Sequence, residues 1–437
     1  MGDNPPLWEV VLHFWINLWG TDLVMARVLS LLFSILTIIP LYFIGEKFIH
    51  NHAGIVGSLL YTCSSFGVFI AHEARVYSLI GLLVCTSTLL FLYILKYPKK
   101  KYLYVLLSLV NVLIFYGHYL GVWIAVVQVI YVLVNKDIRS INLRGMLGTV
   151  GLSILLTIPQ IPTLLTRFSD SGVNGTWVQK SNGVQDIYFM LLKYLNAPVP
   201  TVVFILVLLL AVVLYFKNRQ TNNKSIPYEF LLLALWLPFI ASFVISFVVG
   251  FFLDRYFYFL TPLLYLLVVA SIHMLISHKA KLQLAAYAVA VVLMVGSLRM
   301  HSAQMRYSGY HKDIRPVVEE IKQFKQQDNV GVFIAPRWSA KDAVYYYDKS
   351  MFTSYFDEFT DTCKFDQPLA RHSIFAIEDS FAIKKRPSYN AVLYIDDNND
   401  YAAPYNGIVA YLTKNYTLKN QQIVEGRKLY WYKKETE

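Results

Sequence analysis

Uncharged apolar runs of membrane-spanning length recur through the first three hundred residues, and they constrain the fold more than any other feature of this chain. A bilayer core of about 30 Å needs roughly 20 apolar residues in helical form. Suitable runs occupy 28–45, 53–71, 76–95, 145–166, 194–216, 230–253, 256–277 and 282–298. The sequence therefore predicts a polytopic α-helical membrane protein.

One further run, 102–135, is uncharged for 34 residues. As a single helix it would reach about 51 Å, at about 1.5 Å per residue, which is too long for one crossing. Gly117-His118 in its middle predicts a turn between two short helices, and the total becomes about ten crossings. Residues 168–193 between two of the runs are polar, and they predict a long loop.

The charge of the chain follows the same division. Residues 1–300 hold 20 Lys and Arg against 10 Asp and Glu, whereas residues 301–437 hold 19 against 18. The basic excess thus lies in the turns of the apolar part, where it indicates membrane topology. No basic face of the kind that binds nucleic acid is visible. Walker, GxSxG and dinucleotide-binding motifs are absent from the sequence as well.

Basic residues are unevenly shared between alternate turns, thirteen in one set and five in the other. The richer set holds Lys47, Lys96, Lys99, Lys100, Lys101, Lys136, Arg139, Arg144, Lys217, Arg219, Lys224, Lys279 and Lys281. The positive-inside rule places this set in the cytoplasm. We therefore expect a multi-pass protein of the cell membrane with three parts: an external segment 1–23 with an interfacial helix over 5–20, a transmembrane domain 24–300, and a soluble extracytoplasmic domain 301–437.

The pattern of 301–437 predicts a small α/β layer. Helices are expected over 311–327, 339–348 and 404–415, strands over 329–336 and 390–396, and a closing hairpin over 421–433. The acidic run 395–400 follows a strand, and a solvated turn explains it better than a metal site.

Ionisable and polar side chains with functional potential collect on the predicted outer side, as an outward-facing active site requires. They are Asp3 and Asn4 before Pro5 and Pro6; His72, Glu73, Arg75 and Tyr77; His118 and Tyr119; and Asp254, Arg255 and Tyr256. An Arg is well suited to a phosphate because its planar fork donates two parallel hydrogen bonds.

Several of these residues also have a purely structural interpretation. Glu73 and Arg75 could cap a helix or pair with each other, and His118 could be a satisfied interfacial histidine. Asp254 and Arg255 could form a structural ion pair.

The order of these pieces resembles the GT-C membrane glycosyltransferases, especially the family 39 group of protein mannosyltransferases and lipid A aminoarabinose transferases. The resemblance covers about residues 3–345 and is carried by DNPPLWEVVLHFWINLWG, the following Arg27, HEARVYSLIGLL, GHY and DRYFYFLTPLLYLL. It implies a glycosyltransferase with an outer-leaflet site, a polyprenyl-phosphate-linked sugar as donor, and a lipid, glycan or protein as acceptor. Arg75 and Arg255 would hold the lipid phosphate. Tyr77, His118, Tyr119 and Tyr256 would complete the donor site, with Asn4, Pro5, Pro6, His72, Glu73 and Asp254 in support.

The resemblance also carries a departure. Family members begin with another membrane helix and an external-loop Asp that provides the catalytic carboxylate, whereas this sequence starts after both. We therefore expect an N-terminally truncated member in which Asp3 only assists the reaction or contacts a metal. The sequence identifies no cofactor with certainty, and a divalent cation is an open alternative.

Three other classes of protein stay open. One is a transporter or lipid flippase, although neither inverted repeats nor broken helices, both common in transporters, are evident in the sequence. The second is a polysaccharide polymerase or ligase, and the third is a non-catalytic membrane scaffold that presents the α/β domain.

Overall fold

The computed structural model describes residues 5–20, 22–174, 178, 180–181, 183–219, 226–276, 279–307, 313–348 and 366–435. The chain divides into two compact units, Met1–Ser302 and Ala303–Glu437.

The first unit is built from α-helices. They are α1 (Leu7–Trp19), α2 (Leu23–Ile44), α3 (Ala53–Thr62), α4 (Ser65–His72), α5 (Tyr77–Lys96), α6 (Lys101–Gly117), α7 (Trp123–Val134), α8 (Lys136–Thr157), α9 (Ile161–Asn174), α10 (Gln185–Tyr194), α11 (Pro198–Arg219), α12 (Ile226–Ser246), α13 (Thr261–Ile276) and α14 (Ala280–Tyr307). Short 3₁₀ segments at Tyr119–Val122, Ile158–Gln160 and Asp254–Leu260 lead into α7, α9 and α13.

The described part of the chain contains seven helices long and apolar enough to cross a membrane, and an eighth if the bent pair α3–α4 is one span. Two shorter apolar segments, Lys101–Gly117 and Tyr119–Val134, occupy the run in which a turn was predicted. Outward-facing side chains such as Leu209 and Val213 are more than half exposed, as expected where the surroundings are lipid. The chain is a multi-pass membrane protein.

The predicted turn at Gly117-His118 is present, since α6 ends at Gly117 and the backbone of His118 is extended. A side chain at position 117 would displace Ile80 of α5, because an added Cβ would lie 2.4 Å from its Cδ1. This close approach places the beginning of α5 against the end of α6.

Two predictions about the helices are wrong. The polar stretch 168–193 is helical over much of its length, because α9 continues to Asn174 and α10 begins at Gln185. The expectation of unbroken helices also fails, since α3 and α4 meet at an angle of 65°. Ser64 caps the new helix start there, where its Oγ accepts a hydrogen bond from the Gly67 amide at 3.0 Å.

The turns of the first unit gather at two opposite ends of the bundle. At one end the rings of His50 and His273 stack at 4.2 Å, and Lys96 lies over the ring of Phe48 at 5.8 Å. This end carries the turns that are rich in lysine. The other end carries the turns that begin at Glu73, His118 and Asp254.

The second unit contains a five-stranded sheet in the order β2-β1-β3-β5-β4. Its elements are α15 (Arg315–Phe324), β1 (Val330–Ala335), α16 (Ser339–Tyr347), α17 (Asp366–Arg371), β2 (Ile374–Ala376), α18 (Ser380–Lys384), β3 (Ala391–Asp396), α19 (Asn399–Ala402), α20 (Ile408–Asn415), β4 (Thr417–Val424) and β5 (Arg427–Lys433). Strands β2, β1 and β3 are parallel, while β5 and β4 form an antiparallel hairpin. Apolar clusters cover both faces of the sheet, and the predicted α/β layer is present.

The acidic run 395–400 is in part the solvated turn that was predicted, since Asn398 and Asp400 are exposed, but Asp396 and Asp397 are held by the fold. Asp396 is buried and accepts a hydrogen bond from the Asn399 amide at 2.8 Å. Asp397 accepts hydrogen bonds from Arg427 Nε at 3.1 Å and from the Ser339 hydroxyl at 3.0 Å. These side chains shape the end of β3 instead of facing water.

Candidate functional site

The turn between α4 and α5 is the first element of the site. Helix α4 ends at His72, after which the backbone of Glu73 is extended, with φ −81° and ψ 123°. The Arg75 amide then donates to the Glu73 carbonyl at 2.7 Å, and the hydroxyl of Ser30 on α2 donates to the Arg75 carbonyl at 3.3 Å. The short turn therefore holds Glu73 and Arg75 at the edge of the bundle, directly before Tyr77.

The segment before α13 is the second element. Its 3₁₀ turn begins at Asp254, whose Oδ1 accepts the Arg255 amide at 2.7 Å. The Tyr194 hydroxyl donates to the Asp254 carbonyl, also at 2.7 Å. With the main chain held from both sides, Arg255 and Tyr256 project from a fixed backbone.

These turns and the turn at His118 meet at one small cleft. The cleft is too narrow in this structure to hold a water molecule, and it is lined by Tyr77, Ile80, His118, Arg255, Tyr256 and Phe259. The His118 ring lies 5.5 Å from the ring of Tyr256 and 6.0 Å from that of Tyr77. Side chains from three distant parts of the sequence thus form an aromatic wall with one guanidinium group.

Among the residues that the structure describes, Glu73 lies within ion-pair distance of this guanidinium. Its Oε1 lies 3.9 Å from Nη1 of Arg255, and the two side chains are 20% and 21% exposed. Its other oxygen, Oε2, is buried and accepts no hydrogen bond from the residues that the structure describes. Burial raises the pKa of Glu73 above its ordinary value, and the charges of Arg255 and Arg75 oppose that rise.

Among the described residues, the ionisable groups around the cleft include more cations than acids. The cations are Arg75, Arg255 and Lys193, and Lys193 forms an ion pair with Asp254. The acids are Glu73 and Asp254. Such a site attracts an anion, and a neutral Glu73 would strengthen the attraction.

Several residues predicted for the site do not line the cleft. His72 is exposed, and its Nδ1 lies 2.7 Å from the carbonyl of Val68 on its own helix. The Tyr119 hydroxyl accepts a hydrogen bond from Gln160 at 3.2 Å, and its ring packs on Phe115 at 5.4 Å, away from the cleft lining. Arg75 is exposed and does not line the cleft.

The structure describes the N-terminal segment from Pro5 onward. Asp3 and Asn4 lie outside the described residues, while Pro5 is buried and Pro6 occupies the position before α1. Helix α1 over Leu7–Trp19 is present as predicted, with Phe14, Leu18 and Trp19 exposed. Exposed apolar side chains of this kind suit an interfacial helix.

Sequence reasoning did not assign Lys193, Ile80 or Phe259 to the site. Ile80 and Phe259 lie within apolar runs, where nothing separates a cleft-lining side chain from a packing one. Lys193 was counted among the basic residues of the outer side, and its position directly before a membrane run was the available signal. Within the ranges described, no three His, Cys, Asp or Glu side chains are grouped to hold a metal ion.

Known proteins share this architecture. Residues 3–162 match the family model of dolichyl-phosphate-mannose-protein mannosyltransferases. No curated protein sequence matches the chain significantly.

Among solved structures, ArnT from Cupriavidus metallidurans in the apo state aligns with a TM-score of 0.57 at 14% identity, over 98% of this chain and 87% of that chain. Its structure bound to undecaprenyl phosphate aligns with a TM-score of 0.51 at 13% identity, over 98% and 88%. The archaeal oligosaccharyltransferase AglB from Archaeoglobus fulgidus, in complex with an inhibitory peptide and a dolichol-phosphate, aligns with a TM-score of 0.51 at 9% identity, over 90% of this chain and 61% of that one. At these identities the likeness concerns the fold.

Proposed function

We propose that this chain, which has the fold of the GT-C membrane glycosyltransferases, transfers a sugar from a polyprenyl-phosphate donor to an acceptor outside the cytoplasm. The observation that carries the proposal is the cleft in which Arg255 meets Tyr77, His118 and Tyr256 at one end of the helix bundle. The structures of ArnT with undecaprenyl phosphate and of AglB with a dolichol-phosphate support a lipid phosphate as the ligand class.

The charge of the cleft fits such a donor. A sugar linked to a polyprenyl phosphate is a phosphodiester with one negative charge, and around the cleft the described cations Arg75, Arg255 and Lys193 outnumber the described acids Glu73 and Asp254. Arg255 would donate hydrogen bonds to the phosphate oxygens, which a guanidinium group does in bidentate geometry. The isoprenoid chain would lie against the apolar helix surfaces, so that the membrane itself supplies most of the affinity.

The reaction would be a single displacement at the anomeric carbon. The acceptor hydroxyl attacks this carbon, the bond from carbon to the phosphate oxygen breaks, and the phosphate leaves with the bonding electrons. Arg255 and Arg75 stabilise the charge that develops on the departing phosphate. The proton of the acceptor passes to a carboxylate, a role in which Asp3 would assist. One displacement inverts the configuration at the sugar.

The positive-inside rule supports an extracytoplasmic site. The lysine-rich turns lie at the bundle end opposite to the cleft, so a cytoplasmic location of those turns places the cleft at the outer leaflet. The α/β unit would then be extracytoplasmic, where the acceptor is a lipid, a glycan or a protein.

The first test measures binding of undecaprenyl phosphate to the purified chain in detergent, and the second measures transfer from labelled polyprenyl-phosphate sugars in vesicles. Arg255→Ala should abolish transfer and weaken binding by at least about tenfold, the cost of a lost charge-assisted contact. Lys281→Ala, which removes an exposed lysine at the opposite end, is the matched control. Undiminished binding in Arg255→Ala would remove this cleft from the donor site.

A lipid flippase is the second candidate, because the bend between α3 and α4 is a broken helix of the type found in transporters. A flippase would move fluorescent polyprenyl phosphate between leaflets without consuming the sugar linkage. Translocation without transfer would therefore favour the flippase.

A further inference from the structure

The link between α10 and α11 contacts the two arms of the cleft, which are the start of α4 and the 3₁₀ segment that begins at Asp254, although it contributes no lining residue. This link, Lys193–Ala197, begins with the last two residues of α10 and is almost entirely buried except for Lys193. Asn196 within it is fully buried and has a left-handed backbone with φ 70°. A non-glycine residue is held in that conformation only by its surroundings.

Asn196 binds the break in the bent helix pair. Its Oδ1 accepts hydrogen bonds from the Ser65 amide and from the Ser65 hydroxyl, both at 2.8 Å. Its Nδ2 donates to the carbonyl of Cys63 at 2.7 Å and to that of Met294 at 3.2 Å. The link thereby fixes the start of α4, the short helix that ends directly before Glu73.

Lys193 and Tyr194, at the start of the link, hold the other arm. Lys193 pairs with Oδ2 of Asp254, and the Tyr194 hydroxyl donates to the Asp254 carbonyl at 2.7 Å. Tyr265 of α13 secures Tyr194 in turn, because its hydroxyl donates to the Tyr194 carbonyl at 2.6 Å. Asp254 is only 6% exposed, so an unpaired charge there would be costly.

Without the pairing of Lys193 with Asp254, the guanidinium of Arg255 could turn to the Asp254 carboxylate. Both oxygens of Asp254 are engaged, Oδ2 by Lys193 and Oδ1 by the Arg255 amide at 2.7 Å. The Arg255 side chain instead lies on the cleft side, 3.9 Å from Glu73. Removal of the Lys193 charge would leave a buried anion beside Arg255 that competes with any phosphate for it.

We propose that Lys193 is a positioning residue for donor binding: by neutralising Asp254 it keeps the Arg255 guanidinium from pairing with that carboxylate in competition with the lipid phosphate. This inference rests on the proposed function and deepens it. Lys193 touches neither the donor nor the reacting atoms in this arrangement, and it acts through Asp254 and Arg255.

The test compares Lys193→Met, Lys193→Arg, Asp254→Asn and the double variant Lys193→Met/Asp254→Asn in the complete chain. Undecaprenyl phosphate binding and the donor KM and kcat are measured, with thermal unfolding in detergent as the readout of folding. Lys193→Met should raise the dissociation constant and the KM on the order of tenfold with a small change in kcat, as loss of ground-state binding predicts. Lys193→Arg should behave like the parent, because it preserves the charge.

The double variant is the decisive member of the set. It removes the competing anion together with its partner, while Asn at position 254 can still accept the Arg255 amide. Donor affinity should therefore recover to within about threefold of the parent, the coupling expected of directly interacting residues. Lys180→Met, which removes an exposed lysine of the same polar segment, should leave binding unchanged.

The outcomes separate this inference from the proposed function. If the parent binds undecaprenyl phosphate and Arg255→Ala does not, while Lys193→Met binds like the parent or the double variant shows no recovery, the positioning role is wrong and the donor site stands. If the parent itself fails to bind the lipid phosphate, the proposed function is wrong. Should Lys193→Met fail to fold, the double variant and Lys193→Gln carry the same comparison.

Discussion

The rings of His118 and Tyr256 lie 5.5 Å apart, although one belongs to the turn after α6 and the other to the 3₁₀ turn before α13. Tyr77, at the start of α5, lies 6.3 Å from Tyr256 by ring centroid and completes the wall. These contacts make the cleft a product of three helix ends that only the packed bundle brings together.

The ring of Tyr256 should matter more than its hydroxyl group. Tyr256→Ala removes the contacts with His118 and Tyr77, and aromatic pairs of this kind contribute about 0.5–1.5 kcal/mol each. We expect donor affinity to fall about three- to tenfold per lost contact, whereas Tyr256→Phe should keep most of it. Binding of undecaprenyl phosphate to both variants checks this. Equal losses in the two would show that the hydroxyl, not the wall, is what the donor uses.

Donor binding should weaken as pH rises through the pKa of Glu73. Burial raises this pKa, so the carboxyl group stays neutral to higher pH than an ordinary glutamate. Once ionised, it repels the phosphodiester and competes for Arg255, whereas the diester itself does not titrate in this range. Glu73→Gln should therefore bind the donor with an affinity that is higher above the pKa and nearly independent of pH. A pH profile of donor binding that Glu73→Gln leaves unaltered would assign the titration to another group, and Glu9→Gln on exposed α1 provides the control.

The same shift affects folding in a defined direction. A carboxyl group whose pKa is raised in the folded state contributes stability below its unfolded pKa, and this contribution is lost as pH rises through the folded pKa. Glu73→Gln should thus gain unfolding temperature over the parent above that window.

The close approach of Gly45, which directly follows α2, to Gly54 of α3 should not tolerate a side chain at position 45. An added Cβ would lie 2.3 Å from the Cα of Gly54, which is a backbone atom and cannot rotate away. Gly45→Ala should reduce the free energy of unfolding by about 1–3 kcal/mol through overpacking. Thermal unfolding in detergent measures it. Gly151→Ala on α8 is the control, since nothing lies within 4 Å of a Cβ there and its unfolding temperature should be unchanged or higher.

A closed ring of hydrogen bonds joins α5, α6 and α7. Ser87 donates to Asn111 Oδ1 at 2.7 Å, Asn111 donates to Gln128 at 3.2 Å, and Gln128 donates back to Ser87 at 2.8 Å. Asn111→Leu leaves the other two buried groups incompletely paired and should cost about 0.6–1.7 kcal/mol of stability. The triple variant Ser87→Ala/Asn111→Leu/Gln128→Leu removes every partner and should lose less than the single variant. A triple variant less stable than Asn111→Leu would contradict this account.

In the α/β unit, the buried pair of Arg427 and Asp397 should be sensitive to loss of one partner. Their side chains are 5% and 15% exposed, so Arg427→Met leaves a nearly buried carboxylate without its 3.1 Å contact. We expect a loss of about 3–5 kcal/mol. The protease concentration that cleaves residues 313–435 within the complete chain reports it. Arg427→Met/Asp397→Asn should be markedly more resistant than Arg427→Met alone.

The sequence by itself determined the class of fold and indicated which turns of the membrane domain form the candidate site. Runs of about 20 apolar residues leave few alternatives to membrane helices, because unpaired backbone groups are too costly in lipid. The separation of lysine-rich turns from the turns at Glu73, His118 and Asp254 was likewise visible in the sequence. Local sequence patterns were enough to place β1, β3 and α16 of the second unit, and both strands are buried along their whole length.

Only the tertiary structure decided which candidates share a cleft. It brings Arg255, His118, Tyr77 and Tyr256 together, leaves His72 and Tyr119 outside, and reveals Asn196 as the residue that binds the break between α3 and α4. Helical periodicity gives the face of each helix but not its rotation against distant helices. A bend of 65° depends on hydrogen bonds from a residue more than a hundred positions away, and no local pattern contains that information.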